Sequence, residues 1–151
     1  MRTAVEELVY RSCLLLDAHD FPAFLDLCTD DFRYTVEAHA PEIRRAMVWL
    51  DHDKAGMKAL FENLPRHFSD PSPLTRHAMV YTVTFEAGGG RASVVTALQV
   101  FRTVLDGGTS SLFAVGKLYD TVVVTDGRVA LARRVVKLDT RDLGIGSHVP
   151  F

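Results

Sequence analysis

Asp17 and His77 have the residue types and setting for proton transfer. Asp17 closes an apolar helical run, in Leu16-Asp17-Ala18-His19-Asp20-Phe21, and His77 opens a long strand-like stretch, in Leu74-Thr75-Arg76-His77. An imidazole oriented by a carboxylate can serve as general base or acid near neutral pH. Tyr10, Tyr34 and Tyr81 are candidate hydroxyl donors beside them. The same pair could instead be a structural hydrogen bond tying a helix to a sheet, because structural ion pairs also gather titratable groups. Arg133 and Arg134 adjoin in a strand-like run, so they must face opposite ways. Arg133 is a candidate for a cavity. Arg134 is a candidate for an interface, where a guanidinium pairs well with a carboxylate.

Other chemistries lack their residues. No glycine-rich loop lies between a strand and a helix, so no dinucleotide or phosphate site is indicated. Gly88-Gly89-Gly90 reads as a hairpin turn, and no Gly-x-Ser-x-Gly elbow occurs. Cys13 and Cys28 lack the paired spacing of zinc or iron–sulfur sites and read as buried free thiols. The six histidines (19, 39, 52, 67, 77 and 148) form no compact face with carboxylates. A redox metal is therefore expected in a partner and not in this chain. The formal net charge of -2 argues against a general nucleic-acid binder. No apolar run is long enough for a membrane span. Glu6 and Glu7 stand where a signal peptide needs apolar residues, which predicts a cytoplasmic location.

The elements that must position these residues can be read in order. A helix of about four turns follows the capping-box spacing of Thr3 and Glu6. Asp20 can cap a short second helix that tolerates Pro22 in its first turn. Thr29-Asp30-Asp31 reads as a turn. Phe32, Tyr34 and Val36 alternate with polar residues, as a half-buried strand does. Arg44–Leu50 reads as a strand. A third helix capped by Asp51 or Asp53 runs to Leu64, with Pro65 ending it. An irregular loop follows at 69–73. Four long strands then come at Thr75–Glu86, Arg91–Leu105, Thr109–Thr125 and Arg128–Arg141. Gly-Gly and Asp-Gly turns join them, and such pairs supply the positive φ that tight hairpins need. Helices segregated from a sheet make the class α+β. A curved sheet around the first helix gives a cone with one open end, a natural small-molecule pocket. Residues 1–151 read as one such domain, with 143–151 as an extended tail.

The long strands are apolar on both parities. Val94, Leu98, Val100 and Val104 would share one face, and Val95, Ala97, Phe101 and Leu105 the other. An antiparallel sheet with one wet face should alternate more cleanly. A second chain is therefore expected over the outer face, giving a homo-oligomer. Phe101, Val122, Val124, Arg134 and the apolar end at Phe151 are the interface candidates.

Several segments together resemble a known family. They are Leu14-Leu15-Leu16-Asp17, Phe24 through Tyr34, Asp70-Pro71-Ser72-Pro73-Leu74-Thr75-Arg76-His77, Ala132 through Asp139, and the tail ending in Phe151. The sequence resembles the small (beta) subunit of ring-hydroxylating Rieske non-haem iron dioxygenases. These belong to the wider superfamily of nuclear transport factor 2-like, scytalone dehydratase and ketosteroid isomerase proteins. The resemblance implies a cone of strongly curved mixed sheet around a long N-terminal helix, with two further helices. It implies a homotrimer bound to a large (alpha) subunit that carries the Rieske cluster and the mononuclear iron. It implies a structural, non-catalytic role, with no cofactor in this chain. A second reading is a stand-alone dehydratase or isomerase in which His77 removes a proton alpha to a carbonyl and Asp17 orients it. A third is a module binding a small hydrophobic ligand in the cone.

Overall fold

A computed structural model describes residues 1–42, 44–67, 72–141 and 150–151. The expected loop at 69–71 and the tail at 143–149 lie outside the described residues. The elements are helices α1 (Arg2–Asp17), α2 (Phe21–Asp26) and α3 (Lys54–His67), and strands β1 (Cys28–Ala40), β2 (Arg45–Asp53), β3 (Leu74–Phe85), β4 (Arg91–Thr103), β5 (Ser110–Thr125) and β6 (Arg128–Leu138).

Local chemistry explains most of these boundaries. Asp20 Oδ1 accepts from the Ala23 N–H at 3.3 Å, so α2 starts with a true side-chain cap. Asp53 Oδ1 does the same for α3, accepting from the Gly56 N–H at 2.8 Å. The Thr3–Glu6 capping box does not form, because the helix already begins at Arg2, with Met1 as its N-cap. Arg2 instead pairs with Glu6 one turn on, at 2.8 Å. Thr29-Asp30-Asp31 is not a turn but the start of β1. Pro65 does not end α3, which continues to His67. Gly88, Gly89, Gly107, Gly108 and Gly127 all have positive φ, as the hairpin reading requires.

The six strands form one sheet in the order β2-β1-β6-β5-β4-β3. β1 and β6 run parallel and the other pairs antiparallel, so the sheet is mixed. The inner face carries Phe32, Tyr34 and Val36 from β1, Val94, Leu98 and Val100 from β4, Leu118 and Val122 from β5, and Val136 from β6, all buried. Val5, Leu8, Val9 and Leu16 of α1 complete this core. At ~1.5–3 kcal/mol for each fully buried large apolar side chain, the inner face supplies the main stabilising term.

Register shifts control which side chains face inward. Val122 pairs with Leu131 and Thr121 with Arg133, so Ala132 is an extra residue in β6. Beyond this bulge the strand's parity flips. At Gly116 the chains are so close that an added Cβ would lie 2.3 Å from the Lys137 carbonyl oxygen. Only glycine fits there.

Candidate functional site

The concave side of the sheet contains a buried polar cluster, and its residues differ from those expected. Arg134, not Arg133, enters the cone. The bulge at Ala132 turns Arg134 inward and leaves Arg133 exposed on the outer face. Arg134 Nε and Nη2 donate to Asp120 Oδ1 and Oδ2, each at 2.8 Å, with both side chains fully buried. Asp120 lies directly across from Arg134 on β5. Burial alone pushes the guanidinium's pKa down, but the Asp120 charge and hydrogen bonds more than offset this and hold it above its usual value. Arg134 is thus a core residue and not an interface residue.

A second arginine closes the end of α1. The Arg76 main-chain N–H donates to both Asp17 carboxylate oxygens, at 3.1 and 3.2 Å. Its Nη1 donates to Asp17 Oδ1 at 2.7 Å, and its Nη2 donates to the Pro150 carbonyl. Arg76 is buried, and the Asp17 side chain is 21% exposed. The expected Asp17–His77 pair therefore does not form: the carboxylate belongs to Arg76. His77, the next residue in β3, faces the other side of the sheet. Its ring lies against Phe101, with centroids 4.9 Å apart, and it is exposed.

The three tyrosines do not converge either. Tyr34 is fully buried in the cone. Its hydroxyl donates to the Phe151 carbonyl oxygen at 3.0 Å and accepts from the Phe151 N–H at 2.7 Å. Burial pushes its pKa up. Tyr10 accepts from the Val80 N–H at 3.1 Å, which covers a donor on the edge strand β3. Tyr81 is the extra residue of a bulge in β3 and is 54% exposed on the outer side.

The interface candidates divide as well. Val122 is fully buried in the chain's own core, so it has no surface to offer a partner. Phe151 is buried against the sheet, stacked on Phe113 with centroids 6.3 Å apart, and is likewise interior. Val124 and Phe101 are half-buried. Sequence reasoning missed Arg76 and Asp120. Asp120 shares its parity with Leu118 and Val122, an apolar setting that points inward, whereas Arg76 carries no such signal, because Ala78 and Val80 on its parity are matched by Met79 and Tyr81 on the other.

The described part of the cone contains the buried side chains of Arg134, Asp120, Tyr34, Arg76 and Phe151. Cys13 and Cys28 lie in the same interior, and burial holds both thiols protonated, Cys28 up to about 12. Among the described residues no three His, Cys, Asp or Glu side chains converge to hold a metal. The Cys₂His₂ ligand set of a Rieske cluster does not fit these residues. No helix among them is long and apolar enough to cross a membrane. Two grooves are formed by the described residues around the cone. One of about 320 Å³, lined by residues including His77, Met79, Gln99 and Lys117, lies on the outer face. Another, of about 430 Å³, lies between α1 and β3 and is lined by Tyr10, Leu14 and Asp17 among others.

Comparison with known proteins agrees with this geometry. Residues 1–135 match the SnoaL-like domain family. The beta subunit of the methanesulfonate monooxygenase hydroxylase of Methylosulfonomonas methylovora is 40% identical over 98% of this chain and 86% of its own length. The beta subunit of the 2-aminobenzenesulfonate 2,3-dioxygenase of an Alcaligenes species is 33% identical over 98% of this chain and 97% of its own. A Novosphingobium aromaticivorans crystal structure, assigned as the beta subunit of an aromatic-ring-hydroxylating dioxygenase, shares the fold. It has a TM-score of 0.75 and 21% identity, and covers 91% of this chain and 88% of its own. With its mixed six-stranded sheet and three helices, the chain belongs to the SnoaL-like domain family and, within it, to the oxygenase beta subunits that these two relatives represent.

Proposed function

We propose that this chain supports the large subunit of an oxygenase that acts on a sulfonated compound, and takes no part itself in bond making. The Rieske cluster and the mononuclear iron belong to that large subunit. The carrying observation is the identity of 40% and 33%, over nearly the whole chain, to two beta subunits whose oxygenases both act on sulfonates. One of those substrates is aliphatic, so the shared chemical feature is the sulfonate and not the aromatic ring. The pairing of the cone's charged side chains with one another supports a structural role. An acid–base site needs its carboxylate and imidazole within hydrogen-bond reach, and Asp17 is committed to Arg76 while His77 faces away. The dehydratase or isomerase reading therefore loses its pair.

The half-buried outer face supports association with further copies of this chain. Val95, Ala97, Val115 and Val135 lie there, with Met79 60% exposed beside them. Apolar patches of this kind mark interaction sites. The test is affinity capture of a tagged copy from source cells, followed by iron analysis and oxygen uptake. A larger iron-bearing chain, with uptake stimulated by methanesulfonate or 2-aminobenzenesulfonate, is the expected result. Capture without a second chain would overturn the reading. Equal stimulation by an unsulfonated aromatic would overturn the substrate class.

A further inference from the structure

Pro150 and Phe151 lie in the interior although they belong to no helix or strand. Phe151 is 4% exposed, and its ring stacks on Phe113 with centroids 6.3 Å apart. A backbone that enters an apolar interior must find partners for its N–H and C=O groups. Pro150 has no N–H, so it brings only a carbonyl. That carbonyl accepts from Arg76 Nη2. The Phe151 N–H donates to the Tyr34 hydroxyl at 2.7 Å, and the same hydroxyl donates to the Phe151 carbonyl oxygen at 3.0 Å. Two side chains, from β3 and β1, thus meet the backbone groups of this dipeptide. Arg76 also carries the contact on to α1, because its Nη1 and its main-chain N–H donate to Asp17.

We propose that Pro150-Phe151 is a latch. Docked, it closes the interior and holds Arg76 against Asp17 at the end of α1. Released, it lets water reach the Tyr34 hydroxyl and the Arg76 guanidinium, and it loosens α1 from the edge strand β3. Side chains hold the dipeptide in place, and no strand ladder includes it. β1 keeps its pairing with β2 and β6, and β3 keeps its pairing with β4, whether or not the latch is seated. Segments held in this way open locally, at a lower cost than global unfolding. Arg76 Nε is buried and has no partner among the described residues, so water entering on release offsets part of the loss. Every contact involved lies within this chain, so the latch stands whatever large subunit the chain supports.

The test is amide hydrogen exchange of the 151-residue chain, followed by NMR over a series of low urea concentrations. Three amides report: Phe151, bonded to Tyr34; Arg76, bonded to Asp17; and Leu131, which donates to the Leu27 carbonyl at 2.8 Å, outside the latch. In the unaltered chain, Phe151 and Arg76 should exchange at least about tenfold faster than Leu131 and depend less on urea, as local opening does. Tyr34→Phe keeps the ring and removes both hydrogen bonds to Phe151. It should speed exchange at Phe151 and Arg76 by the same factor, roughly tenfold or more. Phe151→Ala removes the stacked ring without touching a strand, should speed Arg76 likewise, and serves where Tyr34→Phe does not fold. Exchange of Phe151 at the rate and urea dependence of Leu131 would overturn the proposal, because the dipeptide would then open only with the whole core. Exchange at Arg76 that stays unchanged in the variants would overturn it too, because the latch would then not reach α1.

Discussion

The two faces of the sheet treat charge in opposite ways. On the concave face, Arg134 and Arg76 are buried, and each meets a carboxylate at 2.7–2.8 Å. On the convex face, Lys117 and Asp139 share grooves among half-buried apolar residues and form no ion pair among the described residues. A buried charge must be matched inside its own chain, because no water reaches it. A charge on an open face can wait for another molecule. The contrast is that folding pairs the interior charges, whereas it leaves these two on the outer face open to solvent.

The largest expected effect separates neighbouring residues on the two faces. Arg134→Ala leaves Asp120 buried and unpaired and should cost ~3–5 kcal/mol. Arg133→Ala, one residue away but exposed, should stay within about 0.5 kcal/mol. Urea unfolding of both variants checks this, and equal losses would mean that the bulge at Ala132 is misplaced. A smaller effect comes from the buried thiols. The unfolded Cys28 thiol ionises from its usual 9.0, while the folded one keeps its proton up to about 12. Above pH 9 the unfolded chain binds fewer protons, so stability falls as pH rises from 9 towards 12. Cys28→Ala should flatten that part of the pH–stability curve, and an unchanged slope would refute the assignment. The smallest effect is at His77. His77→Ala should leave turnover of the assembled oxygenase unchanged within about threefold, against the ~10²–10⁴ expected of an acid–base residue. A loss of that larger size would return chemistry to the outer face.

Much of this molecule was legible in its sequence. The four long strands, their glycine turns and the Asp20 cap follow from backbone preferences that act over a few residues. Doubly apolar strands were legible for the same reason, since Val94 and Val95 do face opposite sides. The site was read less well. Asp17 was rightly placed at the end of α1, but its partner is Arg76 and not the residue after it. Strand alternation turns on a single position, and nothing near Arg76-His77 in the chain states which parity faces the helix.

The sequence by itself determined the α+β class, the order of the elements and the kinship with oxygenase beta subunits, because these are written in local patterns and ordered segments. Only the tertiary structure decided that Arg134 is interior and Arg133 exterior, that Val122 and Phe151 belong to the core, and that Asp17 pairs with Arg76. Each of these depends on a register shift or a long-range contact, such as Tyr34 to Phe151 across 117 positions. Register is set by the packing of whole strands against one another, and a run of neighbouring residues carries no record of it.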